Sequence, residues 1–222
     1  EDYISADFSQ KPFKVMVSDK TFQTKSVIIA TGADTKWLEV PGEKEKIGRG
    51  VSSCAPCDGF FFKNKNVIVV GGGDSAMEEA LVLTKFASTV TIVHRKDSFR
   101  ASEIMQKRVK ENPKIKIMYN SEVTQVLGEQ NVTGVKIKNN QTNQISEMSI
   151  DGVFVAIGHI PNTGAFKDIE LDDLGFIKVS DHFLTNNEGV FVAGDVHDAH
   201  YKQAITAAGY GCSAALEAEK WL

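Results

Sequence analysis

Three consecutive glycines, Gly71-Gly72-Gly73, continued by Asp74-Ser75-Ala76, admit few folds. Ahead of them Lys65–Val70 is a polar-flanked apolar run that reads as a strand. Behind them Ser75–Phe86 has helical periodicity, with Ala76, Ala80, Leu81 and Leu83 on or near one face. A strand, a glycine turn and a helix in this order fit G-x-G-x-x-A, the dinucleotide-binding variant ending in alanine. Gly71 allows the tight turn, Gly73 lets backbone approach a pyrophosphate, and Ala76 keeps helix and strand close. The N-terminal amides of the helix then face phosphate. The competing reading is a plain βα turn, which needs fewer glycines.

The following strand, Val90–Val93, carries the cofactor choice. An NAD-binding unit places an acidic residue about 20 positions past the turn, on the ribose 2′-hydroxyl. Here the residues are His94, Arg95 and Lys96, then Asp97 and Arg100. Taken singly, each is a solvated surface charge. Clustered at this register, they suit a 2′-phosphate, which arginine grips bidentately, so NADP(H) is preferred to NAD(H).

The 222 residues allow one large domain or two small ones, α/β in class. Ser102–Glu111 reads as an amphipathic helix ending before Pro113. Ile115–Tyr119, Glu122–Leu127, Thr133–Lys138 and Gln144–Ile150 alternate polar and apolar, as an antiparallel meander of three or four strands does. Val153–Ile157 is an apolar, buried strand. Phe13–Val17 and Val27–Ala30 are short strands, Trp37–Gly50 reads as a linker or surface crossing, and Val190–Ala193 precedes a closing helix from about Gln203 to Trp221. Residues 51–158 form a complete nucleotide-binding unit that interrupts a second domain. A net charge of −4 gives no global reason to expect nucleic acid, and the longest apolar runs fall far short of the ~18 residues a membrane span needs. The chain opens Glu1-Asp2-Tyr3, without the basic and apolar regions of a signal peptide, and a cytoplasmic location is expected.

Three cysteines are too few for a disulfide scaffold and point to a reducing compartment. Two of them form Cys54-Ala55-Pro56-Cys57, followed by Asp58-Gly59. That spacing lets two thiols close a small ring, and a helical N-terminus there favours thiolate. Asp58 can move a proton if burial raises its pKa. A zinc half-site is disfavoured: no histidine lies near the pair and Cys212 is remote, read as a small buried side chain in the closing helix. The thioredoxin active site is excluded, because a dinucleotide-binding strand follows the pair. NADPH gives up a hydride and a disulfide does not usually take one directly, so a flavin is the expected intermediary. Ile28-Ile29-Ala30-Thr31-Gly32 and Gly189–Asp195, the latter ending in Gly194-Asp195, are strands that end in small residues. Each alone is equally a plain strand end.

In combination these motifs resemble the low-molecular-weight, bacterial-type thioredoxin reductases. Ala30–Ala33, Gly48–Ser52, Cys54–Phe62, Gly71–Ala80, His94–Ala101, Val153–Thr163, Gly189–Asp195 and Tyr201–Gly211 carry the resemblance. It implies two doubly wound dinucleotide-binding domains of the FAD/NAD(P)-linked disulfide reductase type. The FAD domain is discontinuous, roughly 1–36 plus 161–222, and the NADPH domain is 37–160. By the resemblance Cys57 faces the flavin, Cys54 attacks thioredoxin and Asp58 is the acid/base. Thr31, Gly32, Gly194, Asp195, Lys202, Gln203 and Ala204 would contact FAD. Gly71, Gly73, Asp74, Ser75, Glu78, His94, Arg95, Lys96, Arg100 and Ile157 complete the cofactor-binding set. The family usually has arginine at the positions of Lys96 and Lys202, which keep the charge without the bidentate fork.

The resemblance also implies a homodimer with thioredoxin as partner, and a NADPH domain that rotates on linkers near Trp37–Gly50 and Gly158–Thr163. The family opens with a Gly-rich FAD-binding βαβ unit that this sequence lacks, so the FAD domain is expected to be incomplete and this piece to bind FAD poorly. Two other readings compete: a flavin disulfide reductase or dithiol oxidase with another acceptor, and an NADP(H)-binding module without activity.

Overall fold

The computed structural model describes residues 3–222. The chain divides into two compact units. Unit one runs to Asp34 and resumes at His159–Leu222, and unit two is Thr35–Gly158. The first segment of unit one contributes β1 (Tyr3–Asp7), β2 (Phe13–Val17), β3 (Lys20–Thr24), β4 (Val27–Ile29) and β5 (Ala33–Thr35), the last reaching the boundary. β1, β2 and β3 form an antiparallel sheet.

Unit two contains β6 (Val51–Ser52), α1 (Ala55–Asp58), β7 (Asn66–Gly71), α2 (Asp74–Leu83), β8 (Thr89–Val93), α3 (Glu103–Lys110) and β9 (Ile115–Met118). β10 (Ser121–Leu127), β11 (Gly134–Asn139), β12 (Ile145–Ser149) and β13 (Gly152–Ala156) follow. Five strands in the order β6-β13-β7-β8-β9 make one sheet, parallel throughout. Both faces are covered, which explains why β7, β8 and β13 are continuous, largely apolar runs. Val67 and Val69 of β7 point to one cluster with Ala76, Met77, Ala80 and Leu83 of α2. Ile68 and Val70, one residue out of phase, point to the other with Val123, Val126, Val135 and Ile137. The second cover is the antiparallel meander β10-β11-β12. Each fully buried Val or Ile contributes about 1.5–3 kcal/mol.

One strand assignment is corrected. Ile115–Met118 shares the polar-apolar alternation of the meander yet pairs in parallel with β8, Thr91 opposite Lys116, so the meander has three strands. Trp37–Gly50 runs along the surface, with Pro41, Lys44 and Ile47 to Arg49 exposed, while Trp37, Leu38 and Val40 pack on the meander-side cluster. Within that segment Glu43 is buried, and its carboxylate accepts the amides of Leu38 (2.9 Å) and Glu39 (2.7 Å).

Back in unit one, β14 (His159–Pro161) pairs with β5, and β15 (Val190–Val192) precedes α4 (Ala204–Trp221). β15 lies parallel to β4, Phe191 opposite Ile28. Val190 and Val192 face a core with Phe13, Ile29, Phe166 and Ile177, while Phe191 and Ala193 face Ala214 and Ala218 of α4. Cys212, on the same helix, is exposed, against the expectation of a buried apolar role. Among the described residues no helix is long and apolar enough to cross a membrane.

Candidate functional site

Cys54 and Cys57 are joined in a disulfide, their Cα atoms 5.3 Å apart. Cys54 is the N-cap of α1 and its sulfur accepts the Cys57 amide at 3.3 Å, a place usually taken by a hydroxyl or carboxylate oxygen. Pro56 lies in the first turn, where its missing N–H costs nothing. Cys57 is exposed and Cys54 half-buried. Asp58, at the end of α1, accepts the Ser52 hydroxyl at 2.6 Å, and that hydroxyl oxygen accepts the Cys54 amide at 3.1 Å. Ser52 thereby holds the carboxylate beside the dithiol's backbone.

A second carboxyl reaches this helix. Glu79 of α2 accepts the Ala55 amide at 2.5 Å. Burial pushes the Glu79 carboxyl up to about 7; Glu78 and Asp58, both acidic, act in the same direction, and the Ala55 amide opposes them. Neither Ser52 nor Glu79 was singled out from sequence. The signal for Glu79 was its phase: it lies three residues after Ala76 and four before Leu83, on the buried stripe of α2.

The glycine turn lies at the carboxyl end of β7, where Gly71 pairs with Ala156 of β13. Sheet order runs one way from β7 to β8 and the other way to β13, so this is a topological switch point, the usual ligand crevice of open α/β sheets. Gly73 caps α2 and a Cβ there meets nothing within 4 Å. Ser75 and Glu78 on α2 are exposed, and Ile157, partly exposed, follows Ala156. Asp74 is committed elsewhere: its carboxylate accepts the Ser102 amide (2.9 Å) and hydroxyl (2.8 Å), which hold it below the usual carboxylate range.

The Gly72 carbonyl accepts the amides of Arg100 (2.8 Å) and Ala101 (3.2 Å), so the turn and the basic loop are pinned together. Arg95, Lys96 and Arg100 are exposed, forming a cationic rim. His94 differs from them. Its ring is buried against Phe99, and its Nε2–H donates to the Ser98 carbonyl at 2.9 Å. A Cβ on Gly72 would run into that ring. Gly72→Ala is therefore expected to lower stability by about 1–3 kcal/mol, read as a fall in Tm. Gly73→Ala, with open space for its methyl, should keep Tm and weaken NADPH binding instead; equal Tm losses in both would contradict this geometry.

In unit one the parallel pairing of β4 with β15 brings two distant strand ends together. The Ala193 amide donates to the Ile29 carbonyl at 2.9 Å, which sets Thr31-Gly32 beside Gly194-Asp195. Gly32 and Gly194 have φ of +74° and +75°, a conformation glycine adopts without cost. The Thr31 hydroxyl donates to the Asn162 carbonyl at 2.7 Å. Oδ1 of Asp195 is buried and has no hydrogen-bond partner among the described residues. A hydroxyl-bearing ligand would satisfy it, and with the open Gly32 turn these residues fit the ribityl portion of FAD. Asp198 accepts the amides of His200, Tyr201 and Lys202 and shapes the loop before α4. Lys202 is half-buried there, its pKa lowered by burial against the pull of Asp198 and Asp195. Gln203 caps α4 reciprocally with Thr206, placing Ala204 at the helix start.

Residues 1–211 match the family pattern described as pyridine nucleotide-disulphide oxidoreductase. The chain belongs to that family. Among curated members it is 53% identical over 228 residues to a thioredoxin reductase of Rickettsia felis, spanning all of this chain and 74% of that protein. It is 51% identical to one of Mycolicibacterium smegmatis, spanning 94% of this chain and 68% of that protein. Among solved structures, thioredoxin reductase from Giardia duodenalis superposes with a TM-score of 0.93 at 42% identity, covering 100% of this chain and 74% of that one. The enzyme from Streptococcus pyogenes gives 0.92 at 40% identity, covering 99% and 72%. The fold of this family member is thus that of the FAD- and NAD(P)-linked disulfide reductases.

Proposed function

We propose that the protein carrying this sequence reduces the disulfide of thioredoxin with NADPH, through bound FAD and the Cys54–Cys57 pair. The observation that carries the reading is a disulfide at the N-terminus of α1, tied by a hydrogen bond to the helix that opens from the dinucleotide turn. Flavin, when bound, would supply the two-electron chemistry that couples hydride transfer from the nicotinamide to opening of the disulfide. The remaining tasks fall to this chain. Gly73 keeps the crevice open to a pyrophosphate, Gly71 lets β7 pack closely on Ala156 and Ala76, and Arg95, Lys96 and Arg100 neutralise a 2′-phosphate. Asp195, Gly32 and the Lys202–Ala204 turn hold the flavin.

In the reduced pair, Cys54 thiolate attacks one sulfur of thioredoxin, forming a mixed disulfide and expelling a thiolate. Cys57 thiolate then attacks Cys54, reforming the internal disulfide and releasing the second thioredoxin sulfur. Asp58, oriented by Ser52, is placed to pass a proton from solvent to the departing sulfur. A cytoplasmic homodimer is part of this reading, supported by the family resemblance and the low cysteine content.

Phe60 and Phe61, directly after the redox helix, are 67% and 69% exposed. Paired exposed aromatics beside a reactive disulfide suit a protein partner. Phe61→Ala is expected to raise KM for thioredoxin by about fivefold or more, with reduction of a small aromatic disulfide unchanged. The reading itself is tested by adding oxidised thioredoxin to NADPH-reduced protein. Rapid reoxidation supports it, and reoxidation only by a different acceptor favours another disulfide reductase of the family.

A further inference from the structure

α1 has four residues, too short to hold itself together. Its backbone donors can be followed one by one. Pro56 has none, the Cys57 amide goes to the Cys54 sulfur, and the Asp58 amide to the Cys54 carbonyl at 3.0 Å. The Ala55 amide reaches out of the motif, and its acceptor is the half-buried Glu79 carboxyl. The helix that bears the redox sulfurs is thus hydrogen-bonded to α2 through one ionisable group.

The surroundings disfavour a negative charge on Glu79. β7, β8 and β13, which pack against α2, contain no ionisable side chain, nor does the segment Gly59–Phe62. α3 also packs on α2 and carries Glu103, Lys107, Arg108 and Lys110. The groups that act on Glu79 are nevertheless acidic, Glu78 and Asp58, with the Ala55 amide as its donor. Opening the disulfide adds to this set. Two electrons break the Cys54–Cys57 bond and leave two sulfur anions, which take up one or two protons according to pH. A thiolate and an ionised Glu79 disfavour each other, so their titrations are coupled.

We propose that Glu79 is a positioning residue for the dithiol: through the Ala55 amide it fixes the first turn of α1, and by holding or losing a proton it sets how readily the reduced Cys54–Cys57 pair ionises. This rests on the assignment of that pair as the redox centre. With the carboxyl protonated, the first turn favours thiolate; above neutral pH the Glu79 anion suppresses it. The dithiol's reactivity therefore rises less steeply with pH than two isolated thiols would allow.

The experiment is alkylation of the chain after reduction by dithiothreitol and removal of the reductant, in a Cys212→Ser background, with each cysteine read by peptide mass spectrometry. It uses neither NADPH nor thioredoxin, so its outcome is separate from any failure of turnover. Glu79→Gln keeps an acceptor for the Ala55 amide and removes the charge. Its pair should alkylate roughly three- to tenfold faster near pH 8, a shift of about half to one pKa unit, and match the parent near pH 5.5. Glu79→Asp, which retains a carboxyl, should restore the shallow profile and covers the case of a poorly folded glutamine variant. Superimposable profiles for parent and Glu79→Gln would overturn the proposal, as would a steep single-step profile in Glu79→Asp. An independent reading is the pH dependence of Tm. A carboxyl raised to about 7 on folding retains a proton that the unfolded chain releases near pH 4.5, so stability falls as pH rises from about 4.5 to 7. Glu79→Gln should lack that decline, and its persistence there would count against the proposal.

Discussion

Cys57→Ser is expected to abolish NADPH-dependent disulfide reduction, lowering kcat by about a thousandfold or more, while NADPH still binds. The reason is positional. The Cys57 amide and sulfur both meet Cys54, the amide through a hydrogen bond and the sulfur through the covalent bond that reduction opens. Serine preserves the backbone contact and the size of the side chain, but its oxygen forms no bond that thiol exchange can reverse. Cys54→Ser removes the same bond and the cap of α1 is then a hydroxyl, a better acceptor than sulfur. That variant should fold at least as well and be equally inactive. Steady-state turnover with thioredoxin, alongside NADPH affinity by fluorescence, checks both. Residual activity above about one per cent in either variant would mean that electrons bypass this pair.

Removing the cationic rim should have the second largest effect. Arg95→Ala and Arg100→Ala are each expected to raise KM for NADPH roughly tenfold, and together about a hundredfold, with KM for NADH almost unchanged. Both side chains are exposed and sit on a loop pinned to Gly72 by the Arg100 and Ala101 amides, so their loss leaves the turn intact. The discrimination between the two nucleotides is the readout, because only NADPH carries the 2′-phosphate. The same reasoning predicts that Lys96→Arg tightens NADPH, since a guanidinium forks onto phosphate where an ammonium cannot. His94 is predicted to act differently. Its buried ring supports the back of Gly72, so His94→Ala should lower Tm and affect both nucleotides alike. Equal losses for NADH and NADPH in the arginine variants would refute the phosphate assignment.

Local chemistry was legible in the sequence wherever residue type alone restricts the backbone. Three glycines between a strand and a helix describe β7, its turn and α2, because few other arrangements tolerate them. The Cys-x-x-Cys spacing leads directly to the disulfide. The two short motifs around Gly32 and Asp195 lie more than 150 residues apart and came together through a parallel strand pairing that only the tertiary structure fixes. What was not legible depended on facing. Ile115–Met118 alternates like a solvent-facing strand, yet it edges the parallel sheet beside β8. Trp37, Leu38 and Val40 lie among charged residues and glycines, which hid their packing on the meander. Cys212 occupies the exposed side of α4 because Ala214 and Ala218 take the inner one. Asp58 was found by its adjacency to Cys57, whereas Glu79 reaches the same helix from another element and left only its helical phase as a clue.

The account turns on electrons from NADPH reaching the sulfurs of Cys54 and Cys57, and thiol counting under anaerobic conditions addresses this without a partner. In the FAD-loaded, air-oxidised protein the peptide bearing Cys54 and Cys57 should hold no free thiol. After one equivalent of NADPH and denaturation that peptide should hold two, and none again once oxidised thioredoxin has taken up the two electrons. A flavin that bleaches with NADPH while that peptide gains no thiol would contradict the proposed electron path.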